Sequence, residues 1–168
     1  MRLGPSTALL CALICVGCTP RKVRLARKLE GRYEVTAPDP SSWLWVDPGG
    51  ADKAWYNGHL RASIYTDSNC GARFLDGRPE LLLRHLMYGL DQPQELSNKP
   101  LDVAGRVGRL CVQRGLLDGL EVQVAAVVFN RGSCTYDMVY IASPTHFDDG
   151  WPGFEGVLAS FEATGEEP

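Results

Sequence analysis

The chain has 168 residues, with 17 Lys and Arg against 20 Asp and Glu, a net charge of −3 and 45% apolar residues. That is the size and composition of one globular domain with its own core. The slightly acidic balance argues against nucleic acid as the main partner, and the low charge argues against disorder.

In chain order, the first feature is a leader. Arg2 is followed by an apolar run from Ala8 to Val16 that ends in Gly17-Cys18. Nine apolar residues are too few to cross a bilayer as a helix, which takes about 20, but they suit the apolar part of a signal peptide. Val16-Gly17-Cys18 resembles the end of the lipobox of bacterial lipoproteins, although Cys15 stands where that pattern prefers Leu. The resemblance implies cleavage after residue 17 and acylation of Cys18. Thr19, rather than Asp, follows the cysteine. By the sorting rule of Gram-negative lipoproteins this implies the outer membrane. Several acyl chains, at ~0.8 kcal/mol per buried methylene, would hold such a protein on the membrane.

Residues 18–31 read as a basic tether carrying Arg21, Lys22, Arg24, Arg27 and Lys28, with Arg32 following. It is either a solvated spacer, reaching at most about 45 Å, or a strip lying on anionic head groups. Residues 32–162 read as a single domain and 163–168 as a polar tail.

Within the domain, Arg32–Thr36 alternates like a strand and breaks at Ala37-Pro38-Asp39-Pro40. Trp43–Val46 and Lys53–Tyr56 flank Asp47-Pro48-Gly49-Gly50, a hairpin pattern. Trp43 and Trp45 are two apart and so are expected on one face. Arg61–Tyr65 is a further strand ending near Cys70. Arg78–Gly89 reads as a helix, with Asp76 or Gly77 as cap, Pro79 in the first turn and Gly89 at the end. Leu82, Leu83, Leu86 and Met87 supply its apolar side. The segment through Gln92-Pro93-Gln94 and Asn98-Lys99-Pro100 reads as a loop.

Val107–Gln113, Glu121–Phe129 and Tyr136–Ile141 then alternate with turns at Leu116-Leu117-Asp118-Gly119 and Asn130-Arg131-Gly132-Ser133, an antiparallel meander. Trp151–Phe161 closes the chain as a helix opened by Asp148-Asp149-Gly150, with Phe154, Val157, Leu158 and Phe161 as its packing stripe. The order β–β–β–β–α–β–β–β–α predicts an α+β domain, an antiparallel sheet with helices packed on it.

Six cysteines become fewer once the leader is removed. Cys70, Cys111 and Cys134 remain in the domain. Cys70 and Cys134 lie in turn-like sequence, Cys111 in a strand. The expectation is a Cys70–Cys134 bridge, favoured in an oxidising compartment, with Cys111 as a small core residue.

The run Leu117-Asp118-Gly119, Val122–Phe129, Cys134–Ala142 and Phe154–Phe161 resembles the C-terminal half of PsbP/DcrB-like proteins. That resemblance implies an α/β/α sandwich, often an envelope lipoprotein, with non-catalytic roles in complexes and no shared catalytic residues.

Chemical motifs are sparse. His59, His85 and His146 are isolated, so no metal signature is present. A Gly-x-Ser-x-Gly elbow and a phosphate loop are both missing. Asp137, an acid within a strand, calls for a structural partner such as an Arg. His146 with Asp148 or Asp149 is the one hint of hydrolase chemistry. Trp43, Trp45, Trp55 and Tyr56 form the candidate contact surface, since tryptophans are enriched at binding hot spots; the alternative is that they fill the core. The resulting expectation is a non-enzymatic, lipid-anchored envelope lipoprotein serving as accessory or scaffold subunit of a protein assembly, without cofactor or metal. A periplasmic ligand-binding module is the second reading and a hydrolase the third.

Overall fold

The computed structural model describes residues 31–71 and 78–164. The leader, Cys18, the tether up to residue 30 and the proposed caps Asp76 and Gly77 lie outside the described residues. Nine strands and two helices follow one another in these segments: β1 (Tyr33–Glu34), β2 (Leu44–Trp45), β3 (Lys53–Asn57), β4 (Ala62–Cys70), α1 (Pro79–Leu86), β5 (Asp91–Val103), β6 (Arg106–Leu117), β7 (Leu120–Arg131), β8 (Cys134–Ala142), α2 (Phe147–Ala159) and β9 (Glu162–Ala163). Seven strands form one antiparallel sheet in the order β2-β3-β4-β8-β7-β6-β5. α1 lies over β7 and β6, and α2 over β8 and β4. The domain is therefore the expected α+β arrangement, with a helix on each face.

β7 shows why the sheet needs both layers. Its residues from Gln123 to Phe129 are buried without interruption. A strand covered on one side alternates; one covered on both sides does not. Val124, Ala126 and Val128 face Leu83 and Met87 of α1. Ala125, Val127 and Phe129 face the opposite core, which contains Phe154 and Val157 of α2. The β6–β7 turn is a two-residue Asp118-Gly119 pair with φ of 51° and 79°, the geometry that matches hairpin twist.

Three elements differ from the sequence expectation. The segment read as a loop after α1 is β5, thirteen residues paired with β6. It occupies the edge of the sheet, where Pro93 and Pro100 remove no ladder bond that a neighbouring strand needs. Register shifts between Asp91 and Gln94 and between Glu95 and Ser97 accommodate the rest. α1 ends at Leu86, with Met87 in the C-cap position and its N–H on the Leu83 carbonyl, so Gly89 lies beyond the end. α2 begins at Phe147, four residues before the expected start, carries Pro152 inside it and ends at Ala159, so Phe161 lies beyond the helix rather than on it.

A small second sheet ties the ends together. β1 pairs with β9 through Tyr33 opposite Ala163 and Glu34 opposite Glu162, and the Thr164 N–H bonds the Arg32 carbonyl. Ala163 and Thr164, read as the start of the tail, thus belong to the fold. Gly31, read as the end of the tether, is docked too: its N–H donates to Ser68 Oγ.

Candidate functional site

The tryptophan hairpin forms but does not present one aromatic face. Asp39 caps a tight turn, accepting from the Ser41 N–H and from the hydroxyls of Ser41 and Ser42. Those bonds hold the Asp39 carboxyl below the ordinary carboxylate range. The Trp43 N–H bonds back to the Asp39 carbonyl, so Trp43 belongs to that turn, and the strand starts one residue later. Trp43 is 6% exposed and Trp55 is 5% exposed, both in the core, whereas Trp45 and Leu44 are each 65% exposed. The expectation that Trp43 and Trp45 share a face is therefore wrong, because strand alternation does not extend through a turn residue. Tyr56 is partly exposed and pairs with Leu44, leaving Leu44, Trp45 and Tyr56 as the apolar outer edge of the sheet.

Beside this hairpin lies an open cleft of about 770 Å³, within the size range of small-ligand sites. Three stretches distant in sequence build it: the Thr36–Trp43 segment, the turn Asn57–Leu60, and α2 at Asp149, Pro152, Gly153 and Gly156. Asn57 holds the turn. Its Oδ1 accepts the backbone N–H of His59 and of Leu60, each at 3.1 Å. That leaves Arg61 in the left-handed region at φ 50° before β4 starts. α2 approaches closely through its glycines. A side chain at Gly150 would strike the Tyr140 hydroxyl, and one at Gly153 would stand 3.1 Å from the Trp43 indole nitrogen.

The remaining sequence candidates are placed as follows. His59 lines the cleft, and His85 is exposed on α1. His146 precedes α2, with Nδ1 3.1 Å from Asp149 Oδ2, both side chains largely solvent-exposed; Asp148 is exposed beside them. Among the described residues no group of three or more His, Cys, Asp or Glu could hold a metal ion. Asp137 lies directly opposite Asp67 across β8 and β4. Cys70 and Cys134 are joined by a disulfide. They are not turn residues, as the sequence suggested, but the last residue of β4 and the first of β8, directly opposite each other in register. Cys111 is a buried free thiol whose pKa is raised, chiefly by burial and then by nearby Glu95. Asn57 is the site residue that motif reading missed; Asn57-Gly58 after an aromatic strand was the available signal.

No protein-family model and no curated protein matches the sequence. Solved structures do. CyanoP, the cyanobacterial PsbP of Synechocystis sp. PCC 6803, superposes with a TM-score of 0.56 at 15% identity, covering 79% of this chain and 86% of that one. The chain has a PsbP-like fold. LpqN, involved in cell envelope biogenesis of Mycobacterium tuberculosis, superposes on the same PsbP-like domain with a TM-score of 0.62 at 11% identity, covering 84% and 88%. Identities this low establish the shared architecture alone.

Proposed function

We propose that this protein is a lipid-anchored envelope lipoprotein, held in the outer membrane through acylated Cys18, whose PsbP-like domain acts without catalysis as an accessory or scaffold subunit of an envelope assembly. The leader ending in Gly17-Cys18 supports the anchor. A fold in common with a protein of cell envelope biogenesis fits that setting. The observation that carries the role is the outer edge of the sheet, where Leu44 and Trp45 are each 65% exposed on a two-residue strand. Exposed tryptophan is the residue type that anchors protein interfaces.

The test is site-specific photo-cross-linking in intact cells. A cross-linker at position 45 is expected to give a discrete adduct of one size, and the same group at exposed Glu155 none. Equal labelling at both positions, or no adduct at 45, would remove the interface reading. Mass spectrometry of the mature N-terminus tests the anchor separately; an unmodified Cys18 or cleavage elsewhere defeats it.

A second reading, a periplasmic ligand-binding module, is favoured by the cleft walled by Trp43 and Asn57. It is compatible with the first, because the cleft and the Leu44–Trp45 edge are separate surfaces. The His146–Asp149 pair is read as a structural contact at the start of α2.

A further inference from the structure

The cleft contains a donor that the fold does not use. Asn57 is only 4% exposed and lines the cleft. Its Oδ1 is occupied by two backbone donors, which fixes the orientation of the amide and leaves Nδ2 as the free end. Among the described residues Nδ2 has no hydrogen-bond partner. Nδ2 is not among the described buried polar atoms that lack a partner, so it is open to the cleft it lines, where water or a ligand oxygen completes it.

α2 adds a second, independent sign. Glycine is the poorest helix former after proline, and α2 carries three. Gly150 is required by Tyr140 and Gly153 by Trp43, but a side chain at Gly156 would meet nothing within 4 Å. Packing does not explain Gly156. Its position in the cleft wall does, since any side chain there would project into the open space.

The lining sets the ligand class. It includes the carboxylates of Asp39 and Asp149, the hydroxyls of Thr36, Ser41 and Ser42, and no Lys or Arg. An anion would meet two carboxylates against a single imidazole, that of His59, and no Lys or Arg. An ammonium group could satisfy the carboxylates but would leave the Asn57 donor unmatched, because it only donates. A hydroxyl accepts from Asn57 and donates to a carboxylate or serine at once. We infer that the cleft binds a hydroxyl-rich, uncharged ligand, a sugar unit, with Asn57 Nδ2 donating to one of its oxygens. The inference rests on the ligand-binding reading above and names the class of ligand that reading leaves open.

The test uses the full chain, ¹⁵N-labelled, in a detergent without a sugar head group. The probes are maltotriose and the β-1,4 trimer of N-acetylglucosamine, with spermidine and inorganic phosphate as counter-probes. Vesicles with and without a glycolipid tell a membrane-borne sugar from a free one. A saccharide is expected to shift the Asn57 side-chain amide resonances in a saturable way. Asn57→Asp keeps the oxygen that caps the turn and exchanges the donor for a charged acceptor, which the ligand oxygen placed to accept from Nδ2 would then face; it should weaken binding at least tenfold with the backbone resonances of the turn retained. Gly156→Leu should abolish binding without lowering the melting temperature. Unchanged affinity in Asn57→Asp, or saccharide binding by Gly156→Leu, overturns the proposal. Binding of spermidine or phosphate in the cleft, but of no saccharide, overturns the sugar assignment and spares the ligand-binding reading. Silence of the cleft to every probe overturns both.

Discussion

The two faces of the sheet are built from different materials. The face under α2 is aromatic: Tyr33, Phe129, Tyr136 and Phe161 touch one another, and Tyr140 meets Trp43, Phe147, Trp151 and Phe154. The face under α1 is aliphatic and small: Val124, Ala126, Val128, Val139 and Cys111 against Leu83 and Met87. The difference follows from what each face must join. The aromatic face gathers β1, the Trp43 turn, α2 and the strand after it, segments more than 100 residues apart in the chain. Large rings span such gaps and bury 150–250 Å² each. The aliphatic face receives one eight-residue helix, for which short side chains leave the closer approach.

The first prediction sets one face against the other. Phe154 is fully buried between Tyr140 and Trp151, so Phe154→Ala should cost about 4 kcal/mol. Leu83→Ala, beneath a short helix that can settle inward, should cost about 2–3 kcal/mol. Urea denaturation of both variants measures the gap. Equal costs would mean that the aromatic face is no more constrained than the aliphatic one. The disulfide comes next. It closes a separation of 64 residues on the aromatic face, and a Cys70→Ala, Cys134→Ala double variant should lose about 2–4 kcal/mol through the freed unfolded chain.

Hydroxyls within the aromatic face give smaller, pH-linked effects. The Tyr140 hydroxyl donates to the Phe147 carbonyl at 2.9 Å, and Tyr140→Phe should cost about 1 kcal/mol. Burial raises the pKa of Tyr33 and Tyr140, and on the other face pushes Tyr65 up to about 12. A phenol whose folded pKa lies above its unfolded value of about 10 stabilises the fold below pH 10 and loses that contribution as pH rises. Stability should therefore fall from pH 10 upward, with Tyr65 completing its loss near pH 12. Phenolate absorbance should lag in the native protein and appear in full on unfolding; ionisation of all six tyrosines near pH 10 without unfolding would contradict the burial.

The two faces were not equally legible in the sequence. Phe154, Val157 and Leu158 could be read directly, because helical spacing alone marks them; Phe161, expected on the same stripe, packs into that core from beyond the helix end at Ala159. The meander β6–β7–β8 was legible from β-branched runs between Gly-containing turns. β5 was hidden, since Pro93 and Pro100 normally break strands and only its place at the sheet edge makes them tolerable. Trp43 was misplaced because Asp39, four residues earlier, draws its N–H into a turn, a local competition that alternation cannot foresee. Pro152 hid the start of α2. The carbonyl it leaves unbonded is that of Asp148, an exposed residue, so water can take the bond. The cleft was the least legible part, as it joins three segments whose proximity depends on the whole topology; only the Asn57-Gly58 turn had a local signature.

Cys111 gives the smallest expected effect and the sharpest probe of the aliphatic face. The thiol is buried, its Sγ 3.8 Å from Glu95 Oε2. Burial disfavours the thiolate, and the neighbouring carboxylate disfavours it further. The thiolate is the reactive form, so iodoacetamide at pH 8 should leave Cys111 unmodified in the native protein and modify it in urea. Cys111→Ala removes one sulfur from a side chain that makes no strong bond, and should change stability by less than about 1 kcal/mol. Labelling therefore reads the opening of the aliphatic face without disturbing it. If Cys111 reacts faster in Leu83→Ala but not in Phe154→Ala, each face opens independently of the other. If both variants release it equally, the seven-stranded sheet unfolds as one unit whichever layer is weakened.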